Sequence, residues 1–380
     1  MKQKKYKFLS KHIHQKDRGD MMENSITISL CMIVKDEEQT ISKCLESVKS
    51  VVDEIIIVDT GSTDGTKEIV KKYDAKVYDF QWIEDFSAAR NFAFSKATKE
   101  YILWLDADDI IDTEDIKKLL QLKHTLDRST DAVSMKYYLT FDIEGNPTHS
   151  LRRYRLVNRS KNFQWYGFVH EYLEVYGNLI NSDVGVSHKK EKAYTNRNLK
   201  IYEKHLESGK EFSPRDVYYY ANECKDHRLF DKAVKGYSRF LDEEKGWVED
   251  NIQACLKRAE CYLELGDLKK SIQSCLQSFT YDTPRGELCC HLGRVFLQQG
   301  EYSKAIYWYH AAIDGPRPKD SPFVREECHT WLPHIQLCIC YDRIKEYEKA
   351  IYHNEQAALF IPNNPSIEYN RKYFDSLSEK

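Results

Sequence analysis

The sequence predicts two domains of different class: an α/β domain built on an open, mostly parallel sheet, then an all-α domain of helical repeats. Three observations carry this. Up to about residue 130, short apolar runs alternate with segments of helical period. Beyond about residue 198 the pattern is helical throughout and repeats itself. The length, 380 residues, exceeds what one ordinary core fills and suits two domains. The expected bounds are a basic flexible tail over 1–24, the α/β domain over 25–195 and the repeat domain over 196–380.

The elements follow in order. "ITISLCMIV" (26–34) is a β-rich run, and "EQTISKCLESVKS" sets Ile41, Cys44, Leu45 and Val48 on one helical face. "DEIIIVD" (53–59), "KVYDF" and "YILWLD" read as three more strands, with "TDGTKEIVKKY" and "DFSAARNFAFSKA" as the helices between them. Strands alternating with helices imply parallel pairing through right-handed crossovers, and a run such as "EIIIV" implies a strand covered on both faces. From residue 131, "DAVSMKYYLTFD" and "SLRRYRLVNRS" alternate as strands joined through "EGNP". "FQWYGFVHEYLEVYG" and "SDVGVSHKK" extend an aromatic-rich β region to about residue 190.

The helical part repeats "FDKAVKGYSRFL", "GDLKKSIQSCLQSF", "GEYSKAIYWYHAAI" and "KEYEKAIYHNEQAALFIPNNP". Each has a polar turn and then a small residue before Val or Ile: Ala233-Val234, Ser271-Ile272, Ala305-Ile306 and Ala350-Ile351, at offsets of 38, 34 and 45 residues. These bracket the tetratricopeptide-type period of about 34, and Pro362 stands where such a repeat ends.

Composition narrows the function. With 41% hydrophobic and 31% charged residues the chain is globular, and no apolar run reaches a membrane span. A net charge of −3 gives no electrostatic support for nucleic acid. Basic residues crowd positions 2–18 without an apolar core behind them, which reads as a solvated tail, or as contact with an acidic surface, and not as a signal peptide. Eleven cysteines without C-x-x-C spacing, many on helical patterns, read as reduced core residues of a cytoplasmic protein.

Ligands of open α/β sheets bind beyond the carboxyl ends of the strands. "MIVKDEEQTI" gives a charged loop without the glycines of a phosphate cradle. In "VDTGSTDGT", Gly61 and a cap explain the turn, but Asp59 at the mouth of the sheet needs a partner, such as a nucleobase N–H or a ribose hydroxyl. Arg90 of "DFSAARN" is either a fork-shaped diphosphate donor or the partner of Asp85 or Glu84. In "YILWLDADDIID", Asp112 suits a helix cap and Asp109 a solvated loop. Asp106 and Asp108 remain, and Asp-x-Asp at a strand end suits a hard cation bridging substrate phosphates.

The four segments "CMIVKDEEQTISKCLESV", "DEIIIVDTGSTDGT", "WIEDFSAARN" and "WLDADD" resemble, in this order, the nucleotide-sugar-binding half of family 2 glycosyltransferases of the Rossmann-like GT-A fold. "WYGFVHE" (165–171), His188 and the helical repeats resemble the branch of sublancin-type peptide S-glycosyltransferases. The resemblance implies a metal-dependent, inverting transfer of glucose or N-acetylglucosamine from a UDP-sugar to a Cys or Ser/Thr side chain of a peptide or protein. It places Val34, Lys35, Glu37, Asp59, Ser62, Asp64, Arg90 and Asp106 on the nucleotide sugar: Asp59 at uracil, Arg90 at the pyrophosphate, Asp106 at ribose or sugar hydroxyls. Asp108 and His188 would hold Mg²⁺ or Mn²⁺, though His188 can also simply end a strand. The later Gln-x-x-Arg-Trp motif of many members is missing, which leaves His170 and Glu171 with Asp108 as the catalytic candidates; an aromatic β-ribbon is the alternative for that segment. The repeats would hold the acceptor or a second copy of the chain. A cell-surface glycan or lipid-linked acceptor is the competing substrate, and a non-catalytic scaffold the competing class; the presence of Asp59, Asp106 and Asp108 speaks against the scaffold.

Overall fold

The computed structural model describes residues 25–141, 145, 147–189, 195–317 and 324–378, so the basic tail and part of "EGNP" lie outside the described residues. The chain divides between Thr195 and Asn196 into two compact units.

In the first unit, β1 (Ile28–Val34), β2 (Glu54–Asp59), β3 (Lys76–Asp79) and β4 (Tyr101–Trp104) alternate with α1 (Ile41–Val48), α2 (Thr66–Lys71) and α3 (Phe86–Lys96). They pair in parallel in the order β3-β2-β1-β4. All six residues of β2 are buried, because its faces serve two cores: Ile55 and Ile57 pack on one side, Ile56 and Val58 on the other. The α1 stripe of Ile41, Cys44, Leu45 and Val48 is buried as its spacing requires. Neighbours of β1 run one way to β2 and the other way to β4, so the crevice of this sheet opens beyond Val34 and Trp104.

The sheet then changes character. The antiparallel pair β6 (Ala132–Phe141) and β7 (Pro147–Asn158) joins it, with β7 antiparallel to β4. Parallel to β6 runs β10 (Leu179–His188), and the two-residue strand β5 (Asp109–Ile110) closes the order β3-β2-β1-β4-β7-β6-β10-β5. Separately, β8 (Trp165–Tyr166) and β9 (Tyr172–Leu173) form a short antiparallel ribbon. α4 (Thr113–Thr125) starts at Asp112, whose carboxylate accepts from the N–H groups of Glu114 and Asp115. Val133 stands opposite Leu156 but Ser134 opposite Tyr154, which leaves Arg155 as the extra residue of a β-bulge.

The second unit is helical. After α5 (Arg197–Glu207), four helix–turn–helix pairs follow: α6 (Pro214–Asp226) with α7 (Phe230–Asp242), α8 (Val248–Glu264) with α9 (Leu268–Gln277), α10 (Gly286–Gln298) with α11 (Tyr302–Asp314), and α12 (Trp331–Arg343) with α13 (Tyr347–Ala358). α14 (Pro365–Ser378) packs on α13. The repeating small residue is the packing contact: Ala233, Ser271, Ala305 and Ala350 are all fully buried, where a longer side chain would hold the helices apart. Gly293 makes the same point, since a Cβ there would meet the Tyr309 ring at 2.6 Å. All eleven cysteines are buried and unpaired. No helix among the described residues is long and apolar enough to cross a membrane.

His291, on α10, is buried and its Nε2 meets Ser271 Oγ at 2.8 Å. Burial holds its pKa down at about 4. The unfolded chain therefore takes up this proton first as pH falls below about 6.5, and stability is lost from there down through the folded pKa. Between pH 7 and pH 5 the loss from this residue is about 2 kcal/mol. Urea denaturation at the two pH values measures it, and His291→Gln should flatten the difference.

Candidate active site

The loops after β1 and β2 are laced together. Asp36 N–H donates to Ser62 Oγ (3.0 Å), Glu37 N–H to Thr66 Oγ1 (2.7 Å) and Glu38 N–H to Asp64 Oδ2 (3.1 Å). Asp64 Oδ1 takes the N–H and hydroxyl of Thr66. Ser62 and Asp64 thus brace the loops. The Val34 side chain lies in the core and its carbonyl accepts from Thr60, while Lys35 is exposed and Glu37 half-buried, its carboxylate accepting from Thr40.

Asp59 ends β2 at 1% exposure. Its Oδ1 accepts from the N–H groups of Gly61 and Ser62, both at 2.9 Å, and Gly61 supplies the left-handed φ of 106° that the turn needs. Its Oδ2 is buried with no hydrogen-bond partner.

At the end of β4 the aspartates divide in an unexpected way. Asp109, expected to be solvated, is 0% exposed and ion-paired to Arg155, itself 1% exposed, at 2.7 Å. The reason is the bulge, which aims Arg155 at the sheet end, where its guanidinium lies over Trp104 (3.9 Å) and Tyr137 (4.4 Å). Nothing in the strand alternation announces a bulge, so the expectation missed it; a charged residue inside the apolar stretch 154–157 was the available signal. Asp109 Oδ2 also accepts from Asp106 N–H at 3.0 Å. Its Oδ1 points instead toward His188, whose strand position pairs with Asp109. His188 Nδ1 lies 3.4 Å from Asp109 Oδ1 and 3.5 Å from Asp108 Oδ1.

Asp108, Asp109 and His188 thus bring three ligand atoms within 4.8 Å of one another. Two carboxylates and one imidazole suit Mn²⁺ or Mg²⁺. The fit is supported by orphaned atoms: Asp109 Oδ1 and His188 Nδ1 are buried without hydrogen-bond partners. Burial, with the charges of Asp106 and Asp109, raises the Asp108 carboxyl pKa, and Asp109 raises that of His188. Asp106 goes the other way: against the effect of burial, Arg90 and Arg155 hold its carboxyl at about 2.

Arg90 does not pair with Asp85 or Glu84. Asp85 caps α3 by accepting from Ala88 N–H, and Glu84 accepts from the Trp82 indole. The guanidinium instead donates from Nη2 to Asp106 Oδ1 (2.8 Å) and from Nε to Glu171 Oε1 (2.7 Å). The Trp104 and Trp165 ring centroids lie 5.0 and 4.7 Å from it. Glu171 is therefore brought to the acids of β4, at the end of a tight turn with Gly167 at φ 89° and His170 at φ 51°.

Residues 29–176 match the family described as Glycosyl transferase family 2. The N-terminal domain is a family 2 glycosyltransferase domain. The chain is 29% identical over 296 residues to a TPR repeat-containing protein of Synechococcus elongatus, covering 76% of this chain and 66% of that protein. It is 31% identical over 242 residues to the SPbeta prophage-derived glycosyltransferase SunS of Bacillus subtilis, covering 57% of this chain and 55% of SunS. The chain thus spans between about half and two thirds of these relatives. Among solved structures, glucosyl-3-phosphoglycerate synthase from Mycobacterium tuberculosis, in complex with Mn²⁺ and UDP-glucose, aligns at 15% identity and a TM-score of 0.36, over 52% of this chain and 84% of that one. In the family 2 domain every buried side-chain polar atom lacking a hydrogen-bond partner, among the described residues, belongs to Asp59, Asp109, Arg155, Trp165 or His188. Asp59 ends β2, Asp109 follows β4 with Arg155 and His188 beside it, and Trp165 packs on Trp104 and Arg90.

Proposed function

We propose that the chain transfers a sugar, glucose or N-acetylglucosamine, from a UDP-sugar to a Cys or Ser/Thr side chain of a peptide or protein, in the cytoplasm, with the repeats holding the acceptor. The observation that carries this reading is the gathering of orphaned buried atoms at the mouth of a family 2 domain. An unsatisfied buried polar atom costs about 1–3 kcal/mol, and a fold places several together where a ligand repays them.

Asp59 Oδ2 is an acceptor poised for a uracil N–H, and Asp106 can accept from a ribose or sugar hydroxyl. A bound Mg²⁺ or Mn²⁺, held by Asp108 and His188 with Asp109 beside them, supplies Lewis-acid stabilisation of charge on the departing diphosphate. The acceptor sulfur or oxygen forms a bond to the anomeric carbon from the face opposite the diphosphate. The carbon–oxygen bond to the diphosphate breaks with its electron pair, and the configuration inverts. Glu171 is placed to take the acceptor proton on Oε2, the oxygen that Arg90 leaves without a hydrogen bond. A thiol, with a reference pKa of about 8.5, needs less of that help than a hydroxyl.

Calorimetry with UDP, GDP and CDP in the presence of Mn²⁺ tests the donor, and mass spectrometry of candidate peptides with mixed UDP-sugars tests the transfer. UDP should bind best, and Asp59→Asn, which keeps the turn but blunts the orphaned acceptor, should weaken it about 10- to 100-fold. UDP binding no tighter than GDP, with no mass added to any peptide, overturns the reading.

A further inference from the structure

The family 2 domain carries a second consequence of the "DFSAARN" segment. We propose, resting on the functional reading above, that Arg90 is a positioning residue and not a diphosphate contact: it fixes Glu171 of the β8–β9 ribbon against Asp106 at the end of β4. The acceptor-side and donor-side carboxylates are thereby held at one set separation.

The geometry leaves Arg90 little else to do. It is 8% exposed. Two neighbouring N–H groups, Nε and Nη2, are spent on Glu171 and Asp106. Trp104 and Trp165, edge-to-face with each other at 4.7 Å, pack together against one side of the guanidinium. One positive charge already answers two carboxylates, so a diphosphate arriving there would have to displace one of them.

α3 supports the same arrangement from two more positions. Phe86 N–H donates to Phe168 carbonyl at 3.0 Å. The Asn91 side chain exchanges two bonds with the Trp165 backbone, Nδ2 to the carbonyl at 3.0 Å and Oδ1 from the N–H at 2.8 Å. An amide side chain here substitutes for a neighbouring strand. Residues 86, 90 and 91 therefore grip 165–171 together, but with different consequences. Phe86 and Asn91 hold backbone; Arg90 holds the Glu171 side chain and ties it to Asp106. Without Arg90 the anchors at Trp165 and Phe168 remain, but the turn that carries Glu171 loosens and two adjacent carboxylates lose the cation between them.

The test compares Arg90→Gln, Arg90→Lys, Glu171→Gln and the Arg90→Gln/Glu171→Gln double variant in the full chain. UDP affinity by calorimetry should stay within about threefold in Arg90→Gln, while kcat falls about 100- to 1,000-fold, Arg90→Lys recovers part of it, and the double variant loses little more than Glu171→Gln. Hydrogen exchange supplies a readout that needs no donor: amides over 168–173 should exchange at least about tenfold faster in Arg90→Gln than in wild type. A loss of UDP affinity with kcat intact at saturation makes Arg90 a diphosphate contact and overturns the proposal. Fully additive kcat losses, or unchanged exchange over 168–173, overturn it as well. If wild type binds no UDP, the donor reading fails, and the exchange data still decide Arg90; if Arg90→Gln does not fold, the Arg90→Lys exchange rates decide.

Discussion

Arg155→Met is expected to destabilise the family 2 domain by about 3–5 kcal/mol, because it leaves a buried aspartate charge without its partner. Asp109 and Arg155 are 0% and 1% exposed and meet at 2.7 Å. The arginine is also seated between Trp104 and Tyr137 and donates to the Trp104 carbonyl at 3.3 Å. Methionine fills a similar volume and removes the cation. Asp109→Asn added to Arg155→Met should recover a good part of the loss, since the amide keeps an oxygen for Asp106 N–H and no longer carries a charge. Urea denaturation of the single and double variants measures the coupling, with hydrogen exchange at β4 and β7 assigning it to this domain. A cost below about 1 kcal/mol for Arg155→Met would show the pair to be solvated in practice.

This pair also marks where sequence reasoning stopped. The four parallel strands and the three helices between them were legible because apolar runs and the Ile41-Cys44-Leu45-Val48 stripe have periods that only a strand and a helix bury. Asp112 was legible as a cap because its partners lie two and three residues away. Asp109 looked like its neighbours because its partner lies 46 residues on, across a bulge. Arg90 reads locally as a free fork, yet its partners are 16 and 81 residues away. β5 is two residues long and has no period to read. What escaped was long-range and polar, and it is what sets the directions of the side chains at the site.

Asp108→Asn should lower transfer by roughly a thousandfold or more, the loss expected when a Lewis acid worth several kcal/mol is released. Mn²⁺ binding in the presence of UDP, followed by electron paramagnetic resonance, should weaken in parallel, and a chelator should silence wild type until Mn²⁺ is restored. Asp108 is the exposed-side carboxylate of the three-residue group, with Oδ1 facing His188 Nδ1. Asp109 differs, because Arg155 and Asp106 N–H hold its Oδ2 and so fix where its Oδ1 points. Asp109→Asn should therefore cost about 10- to 100-fold in metal affinity, as orienting partners of ligands do, and less than Asp108→Asn. His188 then decides between the metals. An imidazole nitrogen is well tolerated by Mn²⁺, whereas Mg²⁺ favours oxygen and retained water. Wild type should prefer Mn²⁺, and His188→Asp should shift the ratio of rates with the two metals toward Mg²⁺. An Asp108→Asn enzyme that transfers at the wild-type rate in chelator would remove the metal from this site.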